Sequence, residues 1–348
     1  MTFPRSIRAV LAAALFGLVQ FGLVADARAD LPSASALAQN ALTHAGVFCG
    51  LPQFKAFTAW SAPEILGPTV NTVYEESAPA ISPDGRSLYF NRNFNGRNPD
   101  SPKVDEDIFV SYRSNRNKPW GKAVEVEVLN TDTYHERNVA FSRDGSMLFF
   151  SSDRLVNGVA AGLDLYVSQR QHKGSHGPDQ WMPPTNLGPL VNSPSNDIGP
   201  GYFDGGKRGT DILYFTSNRP GGPGLLDIYA SARAANGSFG APVLVPELSG
   251  TTNDARPVIR ADGLEAVLQS DRLPSEGLGD MLVSTRASLS QPWGTPVNLG
   301  PVLNTTFQDR QAALSDDAKT LYFATNREGP DDIWTSTREP IKAPHCGG

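Results

Sequence analysis

Hydrophobic positions along the chain fall in short runs separated by turns, and one phrase recurs: a hydrophobic strand, a turn, then an aromatic-rich strand. It reads Pro79-Ala-Ile-Ser-Pro-Asp-Gly-Arg-Ser-Leu-Tyr-Phe90 and again Val139-Ala-Phe-Ser-Arg-Asp-Gly-Ser-Met-Leu-Phe-Phe150. Further copies run over 257–268 and 312–323, with a stretched one over 200–215. Asp84-Gly85, Asp144-Gly145 and Asp262-Gly263 supply the chemistry of tight hairpin turns. A third strand follows each pair, starting at Asp107, Asp164, Asp227, Asp280 and Asp332 and ending in Ser. Arg113, Arg170, Arg233, Arg286 and Arg338 come two residues after that Ser. A fourth strand opens with Trp120, Trp181, Phe239 or Trp293. Four strands per repeat is the unit of a β-propeller blade.

Five first strands need five fourth strands, yet only four follow in order. The segment from Trp60 to Asn71 matches that from Trp293 to Asn304. The interval from the aromatic to the next acid agrees: Trp60 to Glu76, Trp120 to Glu136, Trp181 to Asp197 and Trp293 to Asp309 are each 16 residues, and Phe239 to Asp254 is 15. The expected fold is therefore all-β: a single five-bladed β-propeller over 57–340, with four-stranded blades. An N-terminal strand completes the last blade and leaves no free sheet edge.

Composition adds constraints. Gly 33 and Pro 28 among 348 residues point to many turns, while 39% hydrophobic content argues against long disorder. A net charge of −6 leaves no basic excess for nucleic acid. Arg5 and Arg8, an apolar stretch over 9–24 and Ala27-Arg28-Ala29 read as a secretory signal over 1–29. Its removal takes three arginines and one aspartate, making the mature charge −8. A 30–56 extension and a 341–348 tail flank the propeller. The product is expected to be a periplasmic or secreted monomer with no membrane span. Closing the ring brings the chain ends to one side, where Cys49 and Cys346 are expected to pair, worth roughly 5 kcal/mol at most.

The Ser82 to Gly85 turn and the Asp227-Ile-Tyr229 strand resemble the WD-like β-propeller repeat of the TolB type, over about 60–338. The resemblance covers the propeller part only. Residues 30–55 are too few for the N-terminal domain of TolB, and no OmpA-type domain is expected after the repeats. It implies an envelope protein and leaves partner sites open.

Glu76, Glu136, Asp197, Asp254 and Asp309 each stand three residues before a first strand and should ring one mouth of the funnel. Arg154, Arg219, Arg272 and Arg327 fall on the same face, with Phe94 where blade one would carry its Arg. Either each blade repeats an architectural acid–Arg bond, or the ring is a ligand site; calcium is the one ion its oxygen ligands would suit, and no other cofactor is expected. Departures from the repeat are better pointers to binding: Tyr74, Tyr134 and Phe307 two residues before the acid, Arg137 and Arg310 just after it, and Arg256. The 91–106 insertion is a candidate flap over them. The expected role is non-catalytic binding of an envelope protein, peptide or glycan at this face. The alternative is a carbohydrate-active hydrolase or lyase using Glu76, Glu136, His135 and Arg137. A third reading is a scaffold with an inert funnel. His172 and His176 are a weak zinc pair, and no serine-hydrolase elbow accompanies the repeats.

The exported protein is expected to begin at Asp30 and to weigh two hydrogens less than its reduced form. N-terminal sequencing and intact mass with and without reductant check both.

Overall fold

The computed structural model describes residues 56–94, 106–159, 162–171, 179–206 and 210–341. The signal, Cys49, Cys346, His172, His176 and the centre of the 91–106 insertion lie outside them. The described residues form twenty strands and no α-helix, arranged as five four-stranded antiparallel sheets. Blade one comprises β2 (Glu75–Ile81), β3 (Ser87–Asn93), β4 (Glu106–Tyr112) and β5 (Val124–Glu125). Blade two comprises β6 (Glu136–Phe141), β7 (Met147–Ser152), β8 (Asp164–Gln169) and β9 (Thr185–Asn186). Blade three comprises β10 (Asp197–Phe203), β11 (Ile212–Ser217), β12 (Asp227–Ala232) and β13 (Val243–Leu244). Blade four comprises β14 (Asp254–Ile259), β15 (Glu265–Ser270), β16 (Asp280–Thr285) and β17 (Val297–Asn298). Blade five comprises β18 (Asp309–Leu314), β19 (Thr320–Thr325), β20 (Asp332–Thr337) and, from the other end of the chain, β1 (Glu64–Ile65).

The closure is the one the repeat arithmetic predicts. Glu64 pairs with Thr335 and Ile65 with Trp334. The Arg338 guanidinium stacks 4.4 Å from the Trp60 ring, as Arg113 does on Trp120 at 4.1 Å and Arg286 on Trp293 at 4.2 Å. The recurrent Ser of the third strand donates to a carbonyl at the start of the fourth: Ser111 to Gly121 at 2.6 Å, Ser284 to Gly294 at 2.6 Å and Ser336 to Ser61 at 2.7 Å. The Ser and Arg of the repeat thus fasten the outer strand of each blade.

Apolar residues collect at the five seams between neighbouring blades. Tyr89, Leu148 and Tyr166 fill the seam between blades one and two, and Leu88, Tyr322 and Ile333 that between five and one. A repeated polar clamp ties the third strand of each blade to the linker that leaves it. Asn304 accepts from the Met281 amide at 2.9 Å and donates to its carbonyl at 2.9 Å. Asn71 does the same to Ile333, Asn130 to Ile108 and Asn192 to Leu165, and Ser249 replaces the amide at Ile228. Clamps of this kind satisfy the third-strand amide and add a second bond to a carbonyl that already accepts a backbone amide, as Met281 does from Leu299.

Asn304→Leu removes the acceptor of the buried Met281 amide, while the Met281 carbonyl keeps the Leu299 amide at 3.1 Å. It is expected to lower stability by about 3 kcal/mol, measured by denaturant unfolding.

Candidate functional site

The five repeat acids are fully buried, and each lies in an ion pair with its own blade. Arg92 Nε reaches Glu76 at 2.6 Å, Arg154 Nη2 reaches Glu136 at 3.0 Å and Arg219 Nη2 reaches Asp197 at 2.6 Å. Arg272 Nε reaches Asp254 at 2.9 Å, and Arg327 pairs with Asp309. A backbone amide from the preceding linker also donates to each carboxylate: Thr72 and Thr131 at 2.8 Å, Ser193, Gly250 and Thr305 at 2.6 Å. In four blades the same guanidinium bonds a carbonyl of that linker, such as Val70, Leu129, Val191 and Leu303. The ring is internal bracing that joins each first strand to the chain arriving from the blade before.

Blade one corrects the sequence reading. The acid of each blade pairs across the sheet with Arg92, Ser152, Ser217, Ser270 or Thr325. Blade one has its Arg at this position and Phe94 where the others carry theirs. Arg92 keeps an aromatic platform, 4.3 Å from the Phe109 ring, as Arg219 does 4.9 Å from Tyr229. Counting 16 residues from the acid, rather than matching the Ser/Thr-x-Arg pattern, finds Arg92 in the sequence.

The catalytic candidates separate into two groups. Glu76 and Glu136 belong to the ring; burial raises both carboxyls above the ordinary range, opposed by their hydrogen-bond partners and by Arg92 and Arg154. His135 and Arg137 meet instead on Glu106 of blade one: the Glu106 amide donates to His135 Nδ1 at 3.0 Å, and Arg137 lies 3.3 Å from its carboxylate. The C-terminal root of the 91–106 insertion is anchored there.

The residue two past each acid has a left-handed backbone in all five blades: Ala78, Asn138, Gly199, Arg256 and Gln311, with φ between 48° and 63°. Each marks a bulge where the first strand shifts register against the second. Arg256 lies amid Glu106, Arg310, Arg137 and Asp331, and Arg310 is paired with Asp331. Desolvation lowers the Arg256 guanidinium to about 9; Arg310 and Arg137 act in the same direction, and Glu106 and Asp331 oppose them. It remains cationic at neutral pH. These groups form a collar of three guanidiniums and two carboxylates around the axis on the acid face. The Arg137 and Arg310 side chains are 25% and 29% exposed.

Beneath the collar lies a cavity of about 140 Å³. On each first strand its lining runs from the bulge residue to the hairpin turn, so it faces the side of the ring opposite the acids. Of the predicted aromatics, Tyr74 packs edge-on against Phe94 with centroids 5.0 Å apart, Tyr134 is half-buried, and Phe307 is 47% exposed. Among the described residues no group of three or more His, Cys, Asp or Glu is placed to hold a metal ion. No helix among them is long and apolar enough to cross a membrane. Glu106, Asp331, Asn138 and Gln311 were not singled out in the sequence. For Asn138 and Gln311 the hint is the variability two residues past each acid; Glu106 and Asp331 stand just before the third-strand Asp of their blades.

No family model matches the chain, and no curated protein does. Solved structures share its fold. The GH43 BlXynB protein from Bacillus licheniformis is 12% identical, with a TM-score of 0.51 over 82% of this chain and 55% of that one. TolB from Acinetobacter baumannii is 16% identical, with a TM-score of 0.43 over 88% and 67%. An endo-arabinase from Bacteroides thetaiotaomicron is 14% identical, with a TM-score of 0.44 over 81% and 98%. At these identities the likeness concerns the fold.

Asp332, at the start of β20, has a buried oxygen without a partner and a carboxyl pushed up to about 6 by desolvation, with Glu76, Glu328 and Asp331 adding to the shift. A carboxyl raised on folding favours the fold while protonated; that contribution is complete below about pH 4 and lost as pH rises through about 6. Asp332→Asn is therefore expected to raise the thermal midpoint at pH 8 and leave it unchanged at pH 4. Arg219→Ala is expected to cost about 3–5 kcal/mol by stranding Asp197, read by denaturant unfolding.

Proposed function

We propose that this protein is an exported propeller that binds an envelope glycan, peptide or protein at its acid-face mouth without turning it over. The observation that carries this reading is the departure from five-fold repetition. Every ring carboxylate is buried in an ion pair, and only blades two and five add an arginine directly after the acid. Those arginines, Arg137 and Arg310, are partly exposed, and Phe307 offers an open aromatic face on the same side. Guanidiniums beside an aromatic ring suit a polar ligand with a flat apolar face. The TolB-like repeat and the secretory signal support an envelope setting, and the Cys49–Cys346 bond belongs to the same proposal.

A glycoside hydrolase is the second reading, and Asp332 favours it. One carboxyl held up to about 6 near a second, Glu76, is the pattern a general acid requires. The five-bladed fold neighbours include an α-L-arabinofuranosidase and an exo-β-1,3-galactanase, which sets the substrates to try.

One screen separates the readings. The mature protein is mixed with arabino- and galacto-oligosaccharides, envelope glycans and peptides, and followed by thermal shift and by release of reducing sugar. Binding predicts a shift with no release, and a loss of affinity of about tenfold in Arg137→Ala and in Phe307→Ala. Release that disappears in Asp332→Asn would establish the hydrolase instead. No shift with any compound would remove the small-ligand form of the reading and leave a protein partner, sought by pull-down.

A further inference from the structure

The five left-handed bulge positions do not end in equivalent side chains. Ala78 and Gly199 bring no polar group. Gln311 spends its carbonyl oxygen on the Ala78 amide, 2.7 Å away. Asn138 and Arg256 differ. The Asn138 side chain is buried, at 4% exposure, and neither its Nδ2 nor its Oδ1 has a partner. Arg256 Nη1 is buried and unpartnered as well. Their backbone amides are already satisfied, by Asn91 at 3.1 Å and Thr216 at 2.8 Å, so the bulges do not need these side chains. An arginine in left-handed conformation is also strained relative to glycine. Both residues line the inner end of the axial cavity.

We propose that this cavity is a second binding site, open to the hairpin face of the ring, for the carboxylate of an N-acylated amino acid: the C-terminal residue of a polypeptide or a free N-acyl amino acid. The floor supplies the matching groups. Arg256 Nη1 and Asn138 Nδ2 donate to the two carboxylate oxygens, and Asn138 Oδ1 accepts the neighbouring amide N–H. The charge around Arg256 agrees: with Arg137 and Arg310 it stands against Glu106 and Asp331, a set with one positive charge left over. The walls set the rest of the ligand. Ala80, Val139, Val258 and Ala313 are small and apolar, so they accept a short aliphatic side chain. They would leave the hydroxyls of a uronic acid without partners. A cavity of about 150 Å³ takes up a benzene-sized group, so the 140 Å³ here holds one small residue. At the rim, Arg143 spans the opening, with Nη1 3.3 Å from the Ala261 carbonyl of blade four and Nε 3.5 Å from Asp316 of blade five.

The test is isothermal titration of the exported protein with N-acetyl-L-alanine, acetyl-trialanine with a free carboxylate, its C-terminal amide, and glucuronate. The free carboxylate is expected to bind roughly ten- to a hundredfold more tightly than the amide, and Arg256→Gln to abolish that preference. Equal affinity of N-acetylalanine and the tripeptide identifies any N-acyl carboxylate as sufficient; binding of the tripeptide alone identifies a polypeptide end. Asn138→Gly keeps the left-handed backbone and so keeps the fold; it is expected to weaken the tripeptide about tenfold. Phe307→Ala, which weakens acid-face binding, is expected to leave it unchanged, so the two sites fail separately. No binding, equal binding of acid and amide, a preference for glucuronate, or unchanged affinity in Asn138→Gly would each overturn the proposal.

Discussion

The fold depends on a carboxylate that cannot reach water. In each blade it is held at once by a guanidinium from the second strand or the loop just after it and by an amide from the incoming linker. Removing either charge leaves the other buried alone, which is the costly case for an ion pair. Satisfied on all sides, it sets where the first strand begins and where the previous blade ends. Five such points, with the clamps that hold each exit linker, define the ring before any apolar contact is counted.

That bracing divides the residues of the repeat. What recurs has a recurrent partner: Ser with a carbonyl just before the fourth strand, Arg with an indole in the four blades that carry one, acid with Arg. What differs between blades collects near the axis, where five strands converge and a single side chain can break the symmetry. Arg137, Arg310, Arg256 and Asn138 are of this second kind.

The architecture was legible because it is periodic. Trp60 aligned with Trp293 through a constant interval to the next acid, and β1 pairs with β20 as that alignment requires. The ring acids were legible as positions but not as buried groups, since their arginines lie across a sheet whose register the motif does not state. Arg92 shows the difficulty: the partner moved by two residues and the pattern match lost it. The collar was harder still. Glu106 and Asp331 stand at the starts of third strands or just before them and meet arginines of other strands only after the ring closes. The left-handed bulge carries no residue signature, because Ala, Asn, Gly, Arg and Gln all occupy it.

The shared blade also bears on when this protein acquires its shape. Glu64 and Ile65 are among the first residues of the domain to be made, and their partners Trp334 and Thr335 are among the last. A chain still being synthesised therefore holds four blades' worth of sequence and an unmatched strand. Loop closure over that span is slow to nucleate because its entropy must be lost before the contact repays it. The ring is thus a device that delays its own completion. Until the last blade is made the strand at one end still lacks its mate, and the circle closes only when the whole domain is present.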